Sequence, residues 1–380
     1  GGSLIFGNST ANTTTIAGDA TANGTGTLEF YGNQTTVGSL SGTGKIVSHG
    51  GQITATNGDI NIANTIWFNN PTTDPASGLI VKDANNLTLA TQIGDITAAG
   101  IDLAAGNTLN LTSARNVIID GTVTDSGTLN ITSAQNTTLT RDITVASGTG
   151  SLNIDAASIN MADLTNNNIA KLVATNISAG ALNAAGGLMS ISGDLLTANL
   201  LTVSSGATAT IDVGTTVISG PVAVTGNMTQ GASATGLNIT KDGRFMGDSL
   251  NVTGNFDAQS GSVDYVFNNT VRIAGNLTTN SGADTDITAG GKFTTTNIDS
   301  NGTLRIAADT GIDAAQISSS GSLVLDSGTG FINASDVNFG GTTALAGQGL
   351  TTAGTFNQNV LRQNYAGALV ARDVNVMANN

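Results

Sequence analysis

The chain has 380 residues, of which fifty are glycine and three proline; 39% are apolar, 10% are charged, and the net charge is −14. Aliphatic residues spread throughout exclude a disordered tail, and the dominance of Gly, Ala, Ser, Thr and Asn over Leu, Glu and Lys excludes a helical protein. Lys and Arg stand singly, as at Lys45, Arg115, Arg141 and Arg272, so no basic stripe faces phosphates, and nucleic acid is not an expected partner.

The acids are almost entirely Asp, with Glu29 the only glutamate, a bias toward turns over helices. Cysteine is absent, which suits an exported protein stabilised by packing and hydrogen bonds. The apolar runs are too short for a helix to insert into a membrane.

At the start, GGSLIFGNSTANTTT has no basic n-region and no long apolar h-region, so it is not read as a signal peptide. It reads as the interior of a longer chain, or as a processed end. A phrase of Gly, Thr or Ser, Leu, any residue and an apolar residue opens at Gly2 and Gly26, returning at Gly127, Gly150, Gly302 and Gly321. His49, the only histidine, lies in VSHGGQ with no acid beside it in sequence and reads as part of a polar turn. IWFNNPTTDPASG, residues 66–78, holds the only Trp and two of the prolines and reads as a loop extruded from the body. Trp67 and Phe68 in it are candidate binding residues, for sugar or protein; equally, both rings could fold back over the side of the body.

Further on, Leu87 and Leu89, Leu109 and Leu111, Leu129 and Ile131, and Leu152 and Ile154 recur at intervals of 22, 20 and 23. Each pair is two inward residues flanking one outward residue of a short strand. NLTSARNVIIDG at Asn110 returns as NITSAQNTTLTR at Asn130, and the paired Asn116 and Asn136 suit an amide ladder. DLTNNNIAKLVATN, residues 163–176, has Ile169, Leu172 and Val173 at helical spacing and reads as a short helix or an irregular coil. VTGNM at Val224, VTGNF at Val252 and IAGNL at Ile273 carry the repeat through the middle. Three columns then share one period: Ile287, Ile306 and Leu325; Phe293, Ile312 and Phe331; Ile298, Ile317 and Val337.

A period near twenty with two or three short strands per unit predicts an all-β fold, a right-handed parallel β-helix of 19–23-residue coils over residues 1–380. Division of the length by the period gives roughly nineteen coils and a rod of roughly 90 Å. Leucine-rich repeats need more leucines per unit, and an antiparallel sandwich has no reason to repeat a phrase in register.

The Gly-[Thr/Ser]-Leu-x-[Ile/Leu/Phe] phrase, the 19-residue columns and the Asn-, Thr- and Gly-rich, Cys-free composition resemble the β-helical shafts of secreted surface proteins of Gram-negative bacteria. The nearest likenesses are filamentous-haemagglutinin-like exoproteins and autotransporter passenger domains, including rickettsial surface cell antigens. The resemblance implies export to the cell surface and adhesion to a protein or glycan of a host or neighbouring cell. Sometimes it implies assembly of the chain with copies of itself into a coat. The chain departs from these families in showing no signal peptide, secretion cap or translocator barrel.

Parallel β-helices also host glycan-cleaving enzymes, which need two carboxylates close together. The spacing places Asp313 with Thr294 and Ile332, and Asp299 with Ser318, so the acids are not expected to stack. Asp284 and Asp286 share one strand face and form the best pair; Asp309 and Asp313 flank a glycine, and all four read first as turn or strand-end residues. They are also the only candidates for a metal such as calcium, without its usual ligand pattern; no other cofactor is expected. The expectation is therefore a non-enzymatic, extracellular structural or adhesive shaft, with a surface-layer subunit and a carbohydrate-active enzyme as alternatives.

Overall fold

The computed structural model describes residues 2–9, 13–68, 75, 77–82, 84–231, 236–358, 364–365 and 368–376. Among them are 43 strands and no helix. The chain divides into two compact units, Gly1–Gly193 and Asp194–Asn380, each a stack of parallel strands; together they make a β-solenoid of about 17 turns.

In the first unit the predicted pairs are real rungs. Asn86–Thr91, Thr108–Ser113, the start of Thr128–Leu139 and the start of Ser151–Met161 lie side by side in register. Leu87, Leu109, Leu129 and Leu152 form one inward column and Leu89, Leu111, Ile131 and Ile154 the next, each at most 1% exposed. Burial of each such side chain stabilises the fold by about 1.5–3 kcal/mol. Outward between them, the Nδ2 of Asn130 donates to Asn110 Oδ1 at 2.8 Å and that of Asn153 to Asn130 Oδ1 at 2.9 Å. At the neighbouring turn Asn136 donates to Asn116 Oδ1 at 3.1 Å, and Asn116 to Asp95 Oδ1 at 3.0 Å, so the amide ladder is present.

Residues 163–176 are neither a helix nor irregular. Leu164–Asn166 and Ile169–Val173 are ordinary rungs, the second paired with Ser151–Asp155. Ala170 and Leu172 face the core and Ile169 faces solvent, so the alternation of the strand overrides the helical spacing. The proposed loop at 66–78 also begins too early, because the strand Ile60–Phe68 runs through its first three residues. Residues 69–74 and 76 of it lie outside the described residues.

The strand that follows, Gly78–Val81, enters between two rungs of the same face. Leu79 pairs with Ile46, 33 residues earlier, and also with Ile66, 13 residues earlier. The second unit repeats the device: Gly236–Ile239 lies between Thr208–Ile211 and Met228–Gln230. Each inserted strand opens on a glycine of positive φ, Gly78 at 101° and Gly236 at 116°, where a Cβ would meet the carbonyl of Thr65 or Asn227. These wide coils help explain why there are about 17 turns where the bare period predicts nineteen.

In the second unit Ile287, Ile306 and Leu325 stack as expected, as do Ile298, Ile317 and Val337. The third column differs. Phe293 and Ile312 are followed by Ile332, not Phe331, which is 45% exposed; the turn before it is one residue longer. Gln230 is 1% exposed and fully engaged, donating to the carbonyls of Ser260, Gly261 and Asp284 and accepting from Thr285 Oγ1 at 3.0 Å.

One inward position of the first unit carries an acid. Asp125 is fully buried, accepts from Gly127 N–H at 3.0 Å through Oδ1, and has no partner for Oδ2; burial pushes its pKa up to about 7. Two rungs on in the same column, Asn166 makes the same turn to Asn168 N–H and donates to Leu188 O at 2.8 Å. A raised carboxylate pKa removes stability as pH climbs from about 4 to about 7, since the unfolded chain ionises first. Asp125→Asn is therefore expected to raise the urea midpoint at pH 8 and to leave it nearly unchanged at pH 4, followed by circular dichroism.

Candidate functional site

Chemically distinctive side chains gather in two places, one on the outer surface of each unit. In the first unit, register lines up Glu29, Val47, Ile80, Trp67 and Asp102 on successive rungs of one face. Val47 and Ile80 point outward and yet are 3% and 0% exposed. Trp67 is half-buried between Ile80 and Asp102, and burial raises the Asp102 pKa. Phe68, its sequence neighbour, is 1% exposed and belongs to the core, because alternation turns it inward; it is not a binding residue.

Beside this column His49 is not the isolated turn residue that its sequence neighbours suggest. Its Nε2 donates to Glu29 Oε1 at 2.9 Å, and its ring stacks on Tyr31 with centroids 3.8 Å apart. The hydrogen bond from His49 holds the Glu29 carboxyl below its usual range, helped by the Tyr31 hydroxyl and the charge of Lys82. Twenty residues separate Glu29 from His49, one coil, so the period itself was the signal that could have paired them. Ser48 faces inward and its Oγ accepts from Gly50 N–H at 3.3 Å, so it closes a turn and does not act with His49.

In the second unit the acids do stack, contrary to expectation. Arg244, Asp264, Asp286 and Arg305 occupy successive rungs of one outward column. Asp286 Oδ2 accepts from Arg305 Nη1 at 3.4 Å, while Oδ1 is buried without a hydrogen-bond partner. Burial raises the Asp286 pKa, the Arg305 charge opposes this, and the neighbouring Asp264 adds to it. The sequence spacing hid this pair because the coil from Asp264 to Asp286 is 22 residues long, not 19.

The four acids singled out in the sequence do not converge. Asp284 shares the outward face of Asp286 and is met by Ser262 Oγ at 3.5 Å. Asp309 is exposed, and its backbone carbonyl accepts from Thr329 Oγ1 at 2.8 Å. Asp313 forms an ion pair with Lys292 and accepts from Asn333 Nδ2 at 2.9 Å. Among the described residues, no three His, Asp or Glu side chains come close enough to hold a metal ion.

Chemically, the first cluster is a hydrogen-bonded aromatic brace, and the second places two carboxyls one rung apart, with Asp286 the better placed to retain a proton. No protein family, curated protein sequence or solved structure matches the chain.

A lowered carboxylate pKa contributes stability that is present above the ordinary pKa of 4.5 and lost as pH falls below it. Glu29→Gln is expected to cost about 1–2 kcal/mol at pH 7, as a hydrogen bond to a charged group does. At pH 3 it is expected to cost little; urea unfolding at the two pH values checks this.

Proposed function

We propose that this chain is a non-enzymatic segment of a β-helical shaft on the outside of a bacterial cell, of the filamentous-haemagglutinin or autotransporter-passenger style, and that it serves adhesion. The observation that carries the reading is the in-register core. Columns such as Leu87, Leu109, Leu129 and Leu152 let each coil be stabilised by its neighbours, without cysteine, so the scaffold is extended simply by adding coils. In this reading the partners are a protein or glycan of a host or neighbouring cell, or further copies of the chain, and no cofactor is needed.

Beads coated with the chain are expected to adhere to epithelial monolayers above the level of albumin-coated beads; equal adhesion would end the adhesive reading. Electron microscopy is expected to give isolated particles with and without millimolar calcium. Filaments or sheets would replace the shaft by a self-assembling subunit, and a calcium requirement would give Asp284, Asp286, Asp309 and Asp313 a role.

The stacked Asp264 and Asp286 favour a second reading, a carbohydrate-active β-helix, because adjacent rungs lie about 4.8 Å apart, close to the carboxyl separation of retaining glycosidases. Release of reducing ends from a polysaccharide panel, abolished in both Asp264→Asn and Asp286→Asn, would establish it. Under the shaft reading the wild-type chain releases none.

A further inference from the structure

We infer that the second unit carries a binding site for a neutral pyranoside, built around Phe331. The inference does not depend on the shaft reading, since such a site would serve an enzyme or a coat equally. It begins with the register. Ile332 takes the inward position above Ile312 and below Leu350, so Phe331 and Asn333 both face out. On the rungs to either side, the positions opposite Phe331 are then Gly311 and Gly349, with φ of 126° and 131°. A Cβ on Gly311 would sit 3.1 Å from the Phe331 carbonyl. No side chain therefore occupies the ladder positions flanking the ring.

A single exposed hydrophobe needs no explanation by itself. Ile169 and Leu188 in the first unit, for example, are exposed but stack on one another across neighbouring rungs. Phe331 differs in two respects: its flanking rungs are glycine, and a braced polar row runs alongside it. In that row Thr294, Asp313, Asn333 and Thr351 follow one another in register. Asn333 Nδ2 donates to Asp313 Oδ1 at 2.9 Å, and Lys292, one rung below Gly311, pairs with Asp313 Oδ2. A groove of about 400 Å³ opens here, with Asp313, Asn333 and Thr351 among its walls.

An aromatic face beside a fixed row of donors and acceptors matches the two sides of a pyranose, an apolar C–H face and a rim of hydroxyls. Asp313 and Asn333, already held by each other and by Lys292, offer remaining lone pairs and N–H groups without having to be ordered on binding, which lowers the entropic cost. The Lys292 ammonium and Asp313 carboxylate offset each other, so the row favours an uncharged sugar over a uronic acid.

The test is titration calorimetry of the whole chain with cellohexaose, mannohexaose, galactohexaose and oligogalacturonate. At least one neutral hexaose is expected to bind, with Phe331→Ala weakening it by roughly tenfold or more and Phe331→Trp retaining it. Asn333→Ala is expected to weaken it less. The ring is 45% exposed, so Phe331→Ala should leave the thermal unfolding midpoint unchanged, separating lost binding from lost folding. The inference is overturned if no neutral hexaose binds at millimolar concentration, if Phe331→Ala binds as well as the wild type, or if only oligogalacturonate binds.

Discussion

Everything in this fold depends on one constraint: an inward side chain must find a similar side chain at the same position one rung away. A parallel strand has no compact partner of its own in the chain; its hydrogen bonds and its apolar face are both satisfied by the coils before and after it. Leu109 is enclosed by Leu87 and Leu129 in the same way that its backbone is paired with theirs. Register is therefore set twice, by backbone pairing and by packing, and a slip of one residue would turn every inward Leu or Ile out to solvent. The same constraint makes outward residues stack, which is how Asn110, Asn130 and Asn153 join into a ladder although none is near another in sequence.

Much of the fold was legible because this constraint writes itself into the spacing of apolar residues. Ile287, Ile306 and Leu325 announce their column by a constant interval, and the structure stacks them. Legibility failed where the interval changed. Phe331 fits the interval after Ile312 but sits one residue short of the inward position, which Ile332 takes because the intervening turn is longer. Residues 163–176 misled for a different reason: Ile169, Leu172 and Val173 suit a helix by spacing alone, yet neighbouring rungs impose an alternation in which small Ala170 and Leu172 do the packing.

The candidate sites were less legible than the fold, since a polar side chain reveals its partner only after the register is known. Glu29 and His49 are the sole members of their residue types in the chain, one coil apart, and neither looked paired in sequence. Asp264 was not singled out at all, because its coil to Asp286 departs from the interval used to align the acids. Trp67 was rightly separated from the background as an outward aromatic residue, whereas Phe68 was grouped with it by adjacency, which in a strand assigns neighbours to opposite faces.

The strands Gly78–Val81 and Gly236–Ile239 add a rung to one face of the coil while the other faces of that coil continue without one. In a stacked lattice this is an edge dislocation. In the first unit, the rungs beyond it are displaced on that face by one extra step relative to the faces beside it, about 4.8 Å of axial mismatch that twist or tilt within the coil must absorb. Its consequence is evolutionary as well as mechanical. A repeat protein normally gains or loses whole coils at little cost, but a deletion that crosses a dislocation cannot be healed by closing the stack, since its faces no longer step together. These two places are where each unit is fixed in length.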